Sequence, residues 1–75
     1  MTPARLSNCD SPQEKRFVRR IAKMGDNDLI ALTIKLAGEK PSNKRPWWVV
    51  EREHCFASLE LMDRGYVEEN TWVKA

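Results

Sequence analysis

Seventy-five residues, 41% hydrophobic and 32% charged, describe one small globular domain rather than a disordered tail. A chain this short buries only roughly 60% of its unfolded surface, which leaves little room for a catalytic cleft. The net charge of +2 is too small to imply nucleic acid on its own, and the longest apolar run, Leu29 to Ile34, falls far short of the roughly 20 residues of a membrane span.

Residues 1–10 show no period and are expected to be a flexible N-terminal arm, leaving 11–75 as a single helical domain. A helix start follows. Ser11 is the cap, Pro12 occupies the first helical position, where its missing N–H is harmless, and Glu14 completes a capping box. The helix runs over about 12–24 and stops before Gly25. Phe17, Val18, Ile21, Ala22 and Met24 fall on an arc of roughly 160°, while Lys15, Arg16, Arg19, Arg20 and Lys23 fill the opposite roughly 140°. Five of the thirteen basic side chains lie in residues 15–23, with no acid among them. Each cation repels its neighbour one turn away by a few tenths of a kcal/mol, roughly, and an acidic partner would relieve that repulsion.

A second helix is expected over 27–38, capped by Asp26 and stopped by Gly38 and Pro41. Leu29, Ile30, Leu32, Ile34, Leu36 and Ala37 cover more than half its circumference, which predicts the central helix of the domain. A polar, proline-bounded loop follows. Pro46 then sits where a third helix begins, with Asn43 or the loop backbone as its cap, and Gly65 ends it after Arg64.

This third helix carries two apolar faces. Trp48, Cys55, Phe56, Leu59 and Met62 form one stripe, which reads as core; Trp47, Val50, Ala57 and Leu61 form another, for which a 75-residue chain offers no evident internal partner. The tail is compatible with two very short strands, Tyr66–Glu68 and Thr71–Val73, turning at Glu69–Asn70, but it lacks the favoured Asn-Gly turn and carries only a weak hairpin signal. The expected fold is therefore all-α: three helices (12–24, 27–38, 46–64) with a short irregular or hairpin-like C-terminal tail.

Chemistry-bearing residues are sparse. Cys9 and Cys55 read as reduced thiols, Cys55 as a small core residue, and with His54 they supply too few ligands for zinc. His54 is the only histidine. Its neighbours Cys55 and Ser58 make a poor nucleophile–base arrangement, and pairing of His54 with Glu51 or Ser58 is the expected structural use. Glu51, Glu53 and Glu60 form no acid–base pattern, and no glycine-rich phosphate loop is present. No catalytic, cofactor-binding or metal-binding residue is assigned, and the chain reads as a non-enzyme. The first ten residues lack the apolar stretch of a secretion signal, so a cytoplasmic location is expected.

These features favour a small binding module that docks on a larger protein and modulates or inhibits it, in the manner of phage-like accessory regulators. Lys15, Arg16, Arg19, Arg20, Lys23, Lys44 and Arg45 would meet an acidic surface, and Trp47, Val50 and Leu61 would supply the apolar contact. The alternative is a helix-turn-helix or winged-helix-like DNA-binding regulator, consistent with three helices followed by a minimal wing. Against it, the second and third helices are about eight residues apart, and the third opens on two tryptophans and two valines instead of base-reading side chains. No membrane partner is expected. A homodimer through the surplus apolar face is a further option.

Overall fold

The computed structural model describes residues 9–75, which run through α1 (Pro12–Ala22), α2 (Asp26–Gly38), α3 (Trp47–Asp63), β1 (Tyr66–Glu69) and β2 (Thr71–Lys74). This is the three-helix domain with a hairpin tail that the sequence predicts. The first eight residues of the expected arm lie outside the described residues.

Local chemistry sets each boundary. Ser11 Oγ accepts from the Glu14 N–H at 3.2 Å. The Glu14 carboxylate accepts from the Asp10 N–H at 2.8 Å, one residue ahead of the usual capping-box target. At the other end of α1 the Lys23 N–H turns back onto Arg20 and Ile21, closing the helix at Ala22. Asp26 is not the cap of α2: Gly25 occupies that position without a side-chain bond, and the Asp26 carboxylate is engaged elsewhere. Pro46 caps α3 from just outside the helix, its carbonyl accepting from Val49 and Val50, and no side chain, Asn43 included, assists. Gly65, with φ +91°, ends α3 in the left-handed conformation that suits glycine, and its N–H reaches the Met62 carbonyl at 3.0 Å.

β1 and β2 pair antiparallel with Tyr66 opposite Lys74 and Glu69 opposite Thr71. The tight reversal rests on Asn70, at φ +60°, a left-handed conformation that asparagine tolerates.

The central helix is α3, not α2. It packs against α1, α2 and β1, whereas α2 buries only Leu29, Thr33 and Leu36 and leaves Ile34 52% exposed. Thr33 enters the core because its hydroxyl donates to the Leu29 carbonyl at 2.8 Å, so no polar group is left unpaired there.

The two apolar faces of α3 are also used the other way round. Val50, Ala57 and Leu61 are core residues, packed with Phe17, Val18 and Ile21 of α1, Leu29 and Leu36 of α2, and Trp72 of β2. Of the stripe expected inside, only Phe56 is buried; Trp48, Leu59 and Met62 are 53%, 36% and 56% exposed, and Cys55 is exposed. Size explains part of this choice. Ala57, fully buried, lets the neighbouring helices approach α3 closely, while Trp48 and Met62 in that place would hold them apart. No helix among the described residues is long and apolar enough to cross a membrane.

Candidate binding surface

Amphipathic α1 buries Phe17, Val18 and Ile21, so Lys15, Arg16, Arg19 and Arg20 face outward, and with Lys23 at its C-cap all five cations are exposed. Among the described residues none of them pairs with an acid. Asp10, Glu14 and Asp26 are instead held by other cations. Glu14 is held by Arg52, whose guanidinium also reaches Asp10 at 3.4 Å, and Asp26 accepts from Arg64 at 2.8 Å.

Arg20 marks the edge where α1 meets the rest of the surface. It lines a shallow cleft with Lys35, Leu36, Glu39 and Arg45. Leu36 and Glu39 also border a second groove, lined in addition by Ala37, Pro41, Trp47, Glu51 and His54. The basic face of α1 is thus joined across the end of α2 to Trp47, the most exposed large apolar side chain described at 63%. Lys44 and Trp48 line a third cleft, against the start of α1.

The structure brings together only part of the predicted site. The five α1 cations, Lys44 and Trp47 are exposed. Val50 and Leu61, expected to meet a partner, are 6% and 0% exposed and belong to the core. Arg45 is already committed: its guanidinium donates to Glu39 at 2.5 Å and to Glu53 at 2.6 Å, which pins the 39–46 loop onto α3. Cation and aromatic therefore remain as the exposed elements, and the expected aliphatic contact is gone.

Sequence reasoning missed the ion-pair frame behind this surface. Arg64 donates to the carbonyls of Met24 at 2.8 Å, Ile21 at 3.0 Å and Ala22 at 3.4 Å, and to Asp26 and Glu60 at 2.8 and 3.1 Å. A cation thus closes the C-terminal carbonyls of α1, where the helix dipole is negative. Tyr66 Oη donates to the other Asp26 oxygen at 2.8 Å, tying β1 to the start of α2. Arg52 lies over the Phe56 ring, 5.3 Å from its centroid, while it holds Glu14. The i,i+4 pairs Glu60–Arg64 and Arg52–Phe56 could be read from spacing; Arg52–Glu14, Arg64–Asp26, Tyr66–Asp26 and the Arg64 bond to Ile21 join residues 38 to 43 positions apart.

This frame makes stability depend on acid pH. The Arg52 hydrogen bond holds Glu14 below the usual carboxylate range. Tyr66 and then Arg64 do the same for Asp26, and Arg45 does so for Glu39. In each case the unfolded chain takes up the proton first, at about pH 4, so the stabilisation is present above that pH and is lost as pH falls through the lower folded values. The thermal midpoint is expected to drop between about pH 6 and about pH 3, with a shallower slope in Asp26→Asn. An identical slope in that variant would contradict the assignment of Asp26.

No catalytic arrangement emerges at His54. Its Nε2 and Ser58 Oγ are buried without a hydrogen-bond partner, so the expected pairing of the two does not form. Among the described residues no group of three His, Cys, Asp or Glu side chains is placed to hold a metal ion. Burial, ahead of the neighbouring Glu14 charge, pushes the Cys9 thiol above its ordinary value, the opposite of an activated nucleophile. Comparison of the chain with family models, curated proteins and solved structures found no match.

Proposed function

We propose that this protein is a non-enzymatic binding module that docks on the acidic surface of a larger protein and thereby modulates it. The observation that carries this reading is the continuous surface from the five unpaired cations of α1, past Arg20 and Lys35, to the exposed Trp47 ring. Such a surface combines long-range steering with a central anchor: clustered charge raises the rate of encounter, and a tryptophan supplies contact area at small entropic cost. The mutual repulsion of the α1 cations is relieved when acids from a partner come between them.

Reversing two charges tests it. Arg16→Glu with Arg19→Glu is expected to abolish capture of the partner from the source cell while leaving the thermal midpoint unchanged or raised, because the helix loses like-charge contacts. Trp47→Ala is expected to weaken the same capture without unfolding the chain. Capture that survives both changes refutes the reading.

The order of three helices and a hairpin supports the DNA-binding alternative. It is the weaker reading, because the exposed residues of α3, Trp47, Trp48, Glu51 and Met62 among them, include none of the Arg, Lys, Asn or Gln side chains that make bidentate base contacts. DNA binding that falls steeply with salt and disappears in the charge-reversed variant would put this alternative first.

A further inference from the structure

The Trp48 stripe on the outward face of α3 has its own pattern. Trp48, Cys55 and Met62 recur every seven residues, so they lie along one line of the helix with the spacing of a coiled-coil seam. Trp48 and Met62 are 53% and 56% exposed, and Cys55 between them is exposed too.

We propose that the chain forms a two-fold homodimer through this face, with the two α3 helices antiparallel and Cys55 at the axis. The stripe is symmetric about Cys55, with Trp48 seven positions before it and Met62 seven after. Antiparallel pairing therefore seats Trp48 on Met62 of the partner subunit, a contact that combines apolar burial with favourable sulfur–aromatic geometry. The small residue at the centre lets the helix axes approach to about 8–10 Å.

Charge selects the orientation. In the antiparallel register Glu51 falls opposite Leu59 of the partner subunit and Arg52 opposite Ser58 of the partner subunit, so no like charges meet. A parallel register would set each of these charges against its own copy. The helix dipoles also oppose one another in the antiparallel pair.

The area suits a second copy. Seventeen residues of helix are about 25 Å long, and the outward half of that cylinder offers roughly 600 Å² per protomer. Two such faces reach about 1,200 Å² in total, the lower bound for a specific interface, which implies a weak, reversible dimer.

The test uses the full chain with Cys9→Ser, which leaves Cys55 as the only thiol. Diamide, which accepts the two hydrogens of a thiol pair, is expected to give a disulfide-linked species of twice the 8.7 kDa chain mass, and the same treatment of Cys55→Ser is expected to give none. Sedimentation equilibrium of the wild type is expected to show a reversible dimer, with Met62→Glu weakening it at least tenfold while helix content by circular dichroism is retained. Trp48→Ala serves as the second variant should Met62→Glu lose helix content, and it should weaken the dimer likewise. A wild type that stays monomeric up to about 1 mM overturns the proposal. So does a dimer that neither folded variant weakens, or one in which Cys55 does not cross-link.

Discussion

Leu61→Ala is expected to destabilise the fold by about 3 kcal/mol, whereas Trp48→Ala should change stability by less than about 1 kcal/mol. Leu61 is fully buried among residues from all three helices. Truncating it removes apolar contact and leaves a cavity that three packed helices cannot readily fill. A domain of this size has roughly 4–11 kcal/mol of total stability, so the loss is a large fraction of it. Trp48 is the bulkier side chain, but half of it already meets solvent in the single chain. Urea denaturation followed by circular dichroism, at concentrations where the chain is monomeric, separates the two. A Trp48→Ala midpoint displaced as far as that of Leu61→Ala would overturn the assignment of faces on α3.

Arg64→Ala is expected to be nearly as damaging, by about 2–4 kcal/mol, although it removes a charged side chain. The Arg64 side chain is only 18% exposed. It satisfies carbonyls at the end of α1 together with Asp26 and Glu60. Removing it takes one guanidinium away from the Met24 carbonyl, Asp26 and Glu60 at once, and a part-buried acceptor that loses its charged donor carries a desolvation penalty. Arg64→Lys should recover less than half of the loss, because an ammonium cannot span α1, Asp26 and Glu60 with a planar fork. The measurement is the unfolding free energy at low and high salt. Exposed pairs are screened by salt, so a loss that vanishes at high salt would mark Arg64 as an ordinary surface partner.

These two residues show where legibility ended. The start of α1 was fully readable, because Ser11, Pro12 and Glu14 act within a single turn. The end of α3 was readable as well, since Gly65 takes a φ of +91° that few other residues tolerate. The basic arc of α1 followed from helical periodicity alone and is exposed throughout. In each case cause and effect lie within a few residues of one another.

The inward face of α3 did not follow from periodicity. Its helical wheel carries two apolar stripes, each headed by a tryptophan, and periodicity cannot rank one above the other. The deciding terms lie elsewhere in the chain. Glu53 and Arg64 project from the buried side of α3, where Arg45 meets the first, and Asp26 with the end of α1 meets the second. Turning α3 to bury Trp48 and Met62 would carry those charges away from their partners. The same effect removed Arg45 from the predicted surface, because its two acids converge on it only when the loop folds back.

By itself, then, the sequence determined three helices, the first with a basic outer face, because capping and periodicity are local properties; the tail it left as irregular or hairpin-like. Tertiary structure alone decided which helix is central, which face of α3 is core and which cations remain unpaired. Those outcomes depend on how closely helices approach and on ion pairs between residues tens of positions apart, neither of which periodicity records.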